Sequence, residues 1–138
     1  MKKSTVFDCT ILELPKNHSV AGNITSVNNG TEVPFDVKRI YYLYDVPGGE
    51  SRGGHGHKEL SQLIIAASGS FDITVDDGNV KRTFSLSRPS MGLYMPPGLW
   101  RELDNFSSGS ICLVLASHEY DVADYIRSYE DFKTFKTR

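Results

Sequence analysis

Short apolar runs recur along the chain about every ten residues, and turn residues separate them. Each run is rich in β-branched and aromatic side chains, which is typical of β-strands. The clearest runs are VKRIYYLYDV (37–46), QLIIAASG (62–69), FDITVDD (71–77), KRTFSLS (81–87), GLYMPP (92–97) and SICLVLAS (110–117). This pattern predicts an all-β domain, either a sandwich or a barrel.

Alternation within the runs supports this interpretation. Phe71, Ile73 and Val75 occupy every second position of one run, and polar residues lie between them, as on a strand with one buried face. The pair Asp77-Gly78 follows, which is typical of a hairpin turn. We therefore expect a β-hairpin here.

The end of the chain carries a different pattern. Apolar residues in DVADYIRSYEDFKTF (121–135) fall at i, i+3, i+4 and i+7: Val122, Tyr125, Ile126 and Tyr129. This spacing predicts a short C-terminal helix whose apolar face packs against the β-domain. Neither a linker nor a repeat interrupts the chain, so we expect a single domain over residues 1–138.

Composition and charge narrow the class of partner. The net charge is -2, and acidic and basic residues are mixed along the chain, so no basic stripe is present to bind nucleic acid. The sequence has no run of roughly 18 apolar residues and no secretory pattern at its start, so we expect a cytoplasmic protein that does not bind membranes. Cys9 and Cys112 lack metal-site spacing and are expected to be core thiols.

Two histidines provide the most distinctive chemistry. His55 and His57 follow the glycine-rich stretch PGGESRGG (47–54). On a strand, their side chains project to the same face, roughly 6 to 7 Å apart along the backbone. Such a pair can hold a metal, transfer protons or lie at a loop edge, and the glycines around it leave space for a bulky ligand.

The spacing of these residues resembles that of the cupin superfamily. Residues 49–69 resemble the first cupin motif, with Gln62 where the motif usually has glutamate. Residues 96–105 resemble the second motif, with Arg101 where the motif usually has histidine. A metal-binding cupin supplies three histidines and a carboxylate, so two of the four ligands are replaced here.

These replacements disfavour a metal. Gln62 is a weak ligand, and Arg101 cannot be a ligand because its guanidinium stays protonated. Glu59 is a substitute ligand only if the strand continues beyond His57. We therefore expect neither a metal nor another cofactor.

Without a metal, the two imidazoles are candidates for proton transfer at neutral pH. Arg101 then supplies a fixed positive charge that stabilises an enolate oxygen or binds a phosphate. The alternative for Arg101 is a salt bridge at the rim of the barrel with Glu102 or Asp104.

A closer resemblance covers nearly the whole chain. The segments VPFDVKRIYYLYDV, RGGHGHKELSQLIIAASGSFDITVDDG, SMGLYMPPGLWRELDNFSSGSICLVLAS and EYDVADYIRSYEDF resemble the sugar 3,4-ketoisomerases that act on dTDP-4-keto-6-deoxyglucose. The resemblance implies a cupin double-stranded β-helix, or jelly-roll barrel, that dimerises by exchanging N-terminal strands and needs no cofactor. TVFDCTILEL near the start is compatible with such an exchanged strand. The product would be a 3-keto sugar, aminated later for bacterial surface glycans.

The same resemblance assigns the catalytic residues. His55 and His57 are expected to be the acid/base pair that moves protons through an enediolate. Tyr41 is the candidate for an additional proton relay, with Tyr42 and Tyr44 as alternatives. Which histidine removes the C3 proton, and whether the product has the galacto or gluco configuration at C4, stay open.

Substrate-binding residues are expected around this pair. Arg52 is the preferred diphosphate ligand because a guanidinium binds phosphate in a bidentate geometry, and Arg39 is the second choice. Gln62 is expected to hydrogen-bond the sugar or to orient a histidine. Trp100 either lines the pocket or fills the barrel.

Three other functions are compatible with this fold. A metal-free 3,5-epimerase uses similar carbanion chemistry, but such enzymes are longer. A non-catalytic cupin would bind the nucleotide sugar without exchanging its C3 hydrogen. A metal-dependent dioxygenase or isomerase would require bound metal.

Overall fold

Two five-stranded antiparallel sheets pack against each other in the computed structural model, which describes residues 3–137. The strands in chain order are β1 (Thr10–Glu13), β2 (Asn17–Ser19), β3 (Gly22–Ile24), β4 (Arg39–Leu43), β5 (Arg52–His57), β6 (Gln62–Ser68), β7 (Phe71–Asp76), β8 (Lys81–Leu86), β9 (Met91–Met95), β10 (Trp100–Asp104), β11 (Ile111–Ala116) and β12 (Tyr125–Ile126). The first sheet has the order β1-β9-β6-β11-β4, the second has the order β12-β5-β10-β7-β8, and β2 and β3 form a separate hairpin. One helix, α1 (Tyr129–Thr137), follows the last strand. The predicted all-β jelly roll with a short C-terminal helix is confirmed.

Apolar side chains of both sheets share one core. Each of the six apolar runs contains a strand, and the alternating residues Phe71, Ile73 and Val75 are at most 1% exposed. They belong to the same buried cluster as Ile64 of β6 and Val114 of β11. Alternation along the strand therefore identified the buried face of β7 correctly.

The predicted hairpin joins β7 to β8. Asp76 pairs with Lys81, and the amide of Asp77 donates to the carbonyl of Val80 across the turn. Gly78 has a φ of +89°, which a residue with a Cβ adopts only with strain. The Asp-Gly pair thus marks the turn for a conformational reason.

The helix prediction was wrong over its first half. Val122–Asp124 forms a 3-10 turn, Tyr125–Ile126 forms β12 at the edge of the second sheet, and α1 begins only at Tyr129. The physical reason is strand pairing, because Tyr125 lies opposite His57 of β5 and the backbone of this segment bonds to the sheet. Val122 is consequently 64% exposed.

The outer face of the first sheet is partly covered by the long connection before β4. Val33 of that connection, together with Leu14 just after β1, packs on Leu63 and Ile65 of β6 and on Leu115 of β11 in a second buried cluster. In the part of the chain that the structure describes, no helix is long and apolar enough to cross a membrane.

Candidate active site

Strands from both sheets bring the predicted chemical groups together. Tyr41 on β4 and Gln62 on β6 come from the first sheet, while His55 and His57 on β5 and Arg101 on β10 come from the second. A cavity of about 120 Å³ opens beside them. It is lined by Tyr41, Leu43, Arg52, Gly53, His55, Arg101, Leu103 and Tyr125.

Arg101 lies at the centre of this group. It pairs with His55 across β10 and β5 and is only 3% exposed. Its Nη2 donates to the Tyr41 hydroxyl at 3.0 Å and lies 3.2 Å from His55 Nε2. Its Nε and Nη1 are buried without a hydrogen-bond partner. Because Arg101 lines the cavity, its positive charge makes the cavity suited to a negatively charged oxygen atom.

The alternative of a rim salt bridge for Arg101 is wrong. Glu102 and Asp104 are exposed, and neither reaches the guanidinium. Side chains alternate along β10, so these two point to the face of the sheet opposite Arg101. The parity of β10 therefore directs Arg101 inward and both carboxylates outward.

Gln62 connects two of the predicted catalytic residues. Its Nε2 donates to the Tyr41 hydroxyl at 3.2 Å and lies 3.4 Å from His57 Nε2. Gln62 and His57 are both fully buried, whereas Tyr41 is half-buried and reaches the cavity. Gln62 thus occupies the position from which an amide can orient a histidine, as predicted.

Burial and a neighbouring charge hold both histidines in the neutral form. Their rings are perpendicular, with centroids 4.9 Å apart. Burial, followed by the positive charge of Arg101, lowers the pKa of His55 to about 3 and the pKa of His57 to about 2. Both imidazoles are therefore free to accept a proton at neutral pH, although the same charge opposes protonation while the cavity holds no anion.

Two residues that sequence reasoning missed contact the histidines from β12 and the turn before it. The Tyr125 ring lies 5.2 Å from the His55 ring and 4.5 Å from the His57 ring. The carboxylate of Asp124 lies 3.4 Å from His57 Nδ1. In the sequence, only the dipeptide Tyr125-Ile126 could have indicated a strand at this place. The helical spacing of the apolar residues in 121–135 favoured a helix instead.

The structure distinguishes Tyr41 from its alternatives. Tyr42 and Tyr44 are 58% and 61% exposed, whereas Tyr41 points toward Arg101 and Gln62. Tyr41 is thus the tyrosine of this strand that can act on a substrate in the cavity.

The two arginines proposed for the diphosphate lie near the cavity in different settings. Arg52 is exposed at the start of β5 and lines the cavity. Arg39 stacks on the Tyr41 ring at 4.5 Å and on the Tyr120 ring at 5.2 Å, and its Nη1 donates to the Tyr125 hydroxyl at 3.4 Å. Arg39 is therefore engaged in holding aromatic side chains, while the Arg52 guanidinium is available.

Trp100 does not lie in this site. It packs with Phe132 and Tyr129 under α1, on the face of β10 opposite Arg101. A Cβ added at Gly54 would lie 2.9 Å from the Trp100 ring, so this glycine admits the indole and not a ligand. The expectation that Trp100 lines the pocket is wrong, and so is the alternative that it fills the barrel, because the indole packs on the outer face of the sheet.

Glu59 is not placed to replace the missing carboxylate ligand. β5 ends at His57, and Glu59 is exposed in the following turn. Within residues 3–137, no group of three His, Cys, Asp or Glu side chains is arranged to hold a metal ion. The guanidinium of Arg101 beside His55 Nε2 also makes the donor set unfavourable for a cation.

Other clefts on the surface are larger, and two of them have volumes of about 530 and 520 Å³. The first is lined by charged residues such as Lys58 and Arg127, and the second lies between Lys16 and Arg88. Neither is lined by His55 or Arg101, so chemical character and not size identifies the site.

Comparisons with known proteins show the family to which the chain belongs. The model of the family described as FdtA (WxcM-like, C-terminal) matches residues 7–137. The curated TDP-4-oxo-6-deoxy-alpha-D-glucose-3,4-oxoisomerase of Aneurinibacillus thermoaerophilus is 41% identical over 114 residues, covering 83% of this chain and 82% of the relative.

Two solved structures are similar along almost their whole length. A 3,4-ketoisomerase from Helicobacter canadensis is 40% identical with a TM-score of 0.92, covering 95% of this chain and 98% of its own. QdtA, a sugar 3,4-ketoisomerase from Thermoanaerobacterium thermosaccharolyticum in complex with TDP, is 34% identical with a TM-score of 0.93, covering 96% of this chain and 97% of its own. A mutant of QdtA has also been solved in complex with TDP-4-keto-6-deoxyglucose.

Proposed function

The chain belongs to the FdtA family of WxcM-like C-terminal domains, and from this membership we propose that it is a sugar-nucleotide 3,4-ketoisomerase. Its substrate is dTDP-4-keto-6-deoxy-D-glucose, and its product is the dTDP-linked 3-keto-6-deoxy isomer. The observation that carries this proposal is the pair of buried neutral imidazoles beside the unpaired donors of Arg101.

The reaction moves a carbonyl group between neighbouring carbons by proton transfer. A base removes the C3 proton, which the 4-keto group acidifies, and the electron pair of the C–H bond forms the C3–C4 double bond while O4 becomes an oxyanion. O4 then takes up a proton and O3–H loses one, so that the electron pair of the C3–C4 double bond takes up a proton at C4 and the carbonyl forms at C3. His55 and His57 exchange the carbon-bound protons, and the Tyr41 hydroxyl, between Arg101 and Gln62, is in position to exchange protons with the sugar oxygens.

Through its charge, Arg101 makes the basicity of the two histidines depend on whether a negative group is bound beside it. In the empty cavity its charge helps to keep the pKa of both histidines low. An oxyanion in the cavity that Arg101 lines offsets this charge, so an imidazole accepts the proton when the enediolate forms. The energetic cost of burying an unpaired cation is therefore compensated in the transition state.

The size of the cavity indicates how the substrate lies. Its volume of about 120 Å³ is well below that of pockets that enclose a whole ligand, which are about 300 to 1,000 Å³. We assign it to the reacting sugar ring and place the nucleotide outside the cavity. Arg52 at the opening is then positioned to bind the diphosphate with two parallel hydrogen bonds.

A homodimer with exchanged N-terminal strands is supported by the surface of this chain. Within residues 3–137, the β2–β3 hairpin pairs with no other strand. Val20 at the tip of the hairpin and Ile24 are highly exposed. β4 is an edge strand that exposes Ile40 and Tyr42, and Tyr44 just after it is exposed too. A partner's hairpin would cover these apolar groups. Because β1 of the segment TVFDCTILEL pairs with β9 of its own chain, we place the exchange at the β2–β3 hairpin.

The oligomeric state is testable by light scattering coupled to size exclusion. We expect a mass of twice 15.4 kDa for the protein and a shift toward the monomer for Tyr42→Asp. Thr83→Asp, on an exposed part of β8 in the other sheet, is the matched control and should leave the dimer intact. A monomeric wild-type protein would contradict the proposal. The cytoplasmic location and the use of the product in surface glycans stay predictions.

Proton NMR in D₂O tests the proposed activity. Metal-stripped protein is mixed with dTDP-4-keto-6-deoxyglucose, and the signals of C3 and C4 are followed over time. We expect a 3-keto sugar and incorporation of deuterium in D₂O, and the H4 coupling constants of a parallel reaction in H₂O distinguish the galacto from the gluco product. Binding without isomerisation or C3 exchange would indicate a non-catalytic cupin, exchange at C5 an epimerase, and activity only after metal is restored a metal enzyme.

A further inference from the structure

Asp124 is held beside His57 by the backbone that follows this histidine. Its Oδ1 accepts from the amide of Glu59 at 2.7 Å, its Oδ2 accepts from the amide of Leu60 at 3.3 Å, and its carbonyl accepts from the amide of Lys58 at 3.1 Å. The carboxylate is 11% exposed, and this anchoring leaves Oδ2 3.4 Å from His57 Nδ1. The position of the carboxylate is thus set by the turn and does not depend on its contact with the histidine.

The two ring nitrogens of His57 face groups of opposite character. Nδ1 faces the Asp124 carboxylate, which can only accept a hydrogen bond. Nε2 lies 3.4 Å from Gln62 Nε2, which can only donate one. A neutral imidazole satisfies both neighbours only when its proton is on Nδ1 and its lone pair is on Nε2.

We propose that Asp124 is a positioning residue that holds His57 as the Nδ1–H tautomer, so that Nε2, on the side of Gln62 and Tyr41, carries the lone pair that can accept a proton. The inference rests on the proposed isomerase function. At 3.4 Å the contact is longer than an ordinary hydrogen bond of about 2.7 to 3.2 Å, and it shortens when the ring gains a proton and becomes a cation. The carboxylate then stabilises the imidazolium and offsets part of the charge of Arg101.

The arrangement also explains why a carboxylate is retained next to a neutral histidine. The pKa of His57 is lowered to about 2 by burial and by Arg101, so the resting pair is a neutral N–H group beside a carboxylate and not an ion pair. The negative charge of Asp124 stabilises His57 only when the imidazole is protonated during turnover. The carboxylate therefore stabilises the transition state more than the ground state, as catalysis requires.

Histidine tautomers are measured directly by long-range proton–nitrogen NMR of enzyme labelled with ¹⁵N-histidine, with His57→Asn identifying the signals. We expect the Nδ1–H pattern for His57 in the wild-type enzyme at pH 7. In Asp124→Asn the side-chain carbonyl can still accept from the Glu59 amide, but an NH₂ group faces Nδ1. We therefore expect a shift toward the Nε2–H tautomer and a loss in kcat of about 10-fold to 100-fold with little change in KM.

Asp121→Asn is the matched control. Asp121 is exposed, caps the same turn by accepting from the amide of Ala123 at 3.0 Å, and has no contact with His57. It should change neither the tautomer nor kcat. A wild-type His57 with its proton on Nε2 would overturn the proposal, and this measurement does not require the variant to fold.

A second result would also overturn it. If Asp124→Asn lowers kcat while the His57 tautomer is unchanged, Asp124 has a structural role only. The wild-type protein could show the Nδ1–H pattern and yet lack isomerase activity. That result would contradict the proposed function but would still support the effect of Asp124 on the His57 tautomer. The spectrum and the activity assay therefore report on the two proposals separately.

Discussion

At the scale of single residues, Arg101 gives the site its chemical character. Its guanidinium is buried, and within residues 3–137 its hydrogen-bond partners are the neutral groups of Tyr41 and His55. Burying a charge with incomplete pairing costs several kcal/mol, so the arrangement is favourable chiefly when an anion joins it. A site of this kind is better suited to stabilising a transient enediolate than to holding a cation.

The first residue-scale prediction concerns the histidine pair. His55→Asn or His57→Asn should retain the fold and the affinity for the nucleotide sugar but lower turnover about 10²-fold or more, because an amide cannot accept a proton at neutral pH. Turnover and C3 deuteration are measured by NMR, and affinity by calorimetry. His118→Asn, an exposed histidine that bonds to Ser117, is the control and should be fully active. Near-normal turnover in both site variants would remove the histidines from the mechanism.

The second residue-scale prediction concerns Arg52. Arg52→Lys should weaken binding of the nucleotide sugar and of TDP alone, because an ammonium group cannot form two parallel hydrogen bonds to phosphate oxygens. The kcat at saturating substrate should change little. Arg82→Lys, whose guanidinium stacks on Phe84 on β8, is the matched control. Equal affinity of Arg52→Lys and wild type for TDP would show that Arg52 is not the diphosphate ligand.

At the scale of elements, β12 and α1 support the catalytic strand from outside. β12 extends the second sheet beyond β5, and α1 packs Phe132 against Trp100 on the outer side of β10. Gly56 of β5 permits this packing, because an added Cβ would lie 3.0 Å from the Leu99 carbonyl oxygen and 3.4 Å from the Phe132 ring. The glycine between the two histidines thus contributes to the position of the strand that carries them.

The element-scale prediction tests this docking of the helix. Phe132→Ala should lower the free energy of unfolding by about 3 to 5 kcal/mol, since it removes a fully buried aromatic ring and leaves a cavity. Urea unfolding followed by tryptophan fluorescence measures the change, because Trp100 lies against this ring. Phe7→Ala removes a ring that is 69% exposed and should cost far less. Equal losses for the two variants would mean that α1 is not held by this contact.

At the scale of the whole molecule, folding buries two groups that titrate near neutrality in the unfolded chain. Their pKa falls from 6.5 to about 3 for His55 and to about 2 for His57 on folding. Between pH 6.5 and about 3 the unfolded state therefore binds more protons than the folded state does. The stability that these neutral histidines provide is present above pH 6.5 and is lost progressively as the pH decreases.

The whole-molecule prediction follows from this linkage. The free energy of unfolding should decrease below pH 6.5 with a limiting slope of about 1.4 kcal/mol per pH unit for each histidine. Urea unfolding at several pH values between roughly 7.5 and 5 measures this decrease, because an ordinary histidine titrates within that range. The double variant His55→Asn/His57→Asn should show a flatter profile. Parallel profiles for the two proteins would place the titrating groups elsewhere.

The sequence by itself determined the features that depend on local geometry. Side chains alternate across a strand because of backbone geometry, so the buried face of β7 and the shared face of His55 and His57 could be predicted from spacing. The replacement of two metal ligands of the cupin motifs by Gln62 and Arg101 could also be predicted from the sequence, because the chemistry of a side chain is known from its identity.

Only the tertiary structure decided which distant residues meet. Asp124 and Tyr125 lie beside His57 because β12 pairs with β5, and the sequence between them contains no signal for that register. The same pairing delayed the start of the predicted helix to Tyr129, since the hydrogen bonds of a sheet edge outweighed a weak helical pattern. Trp100 and Arg101 are neighbours in sequence, yet one packs under α1 and the other lines the cavity, because the sheet separates its two faces.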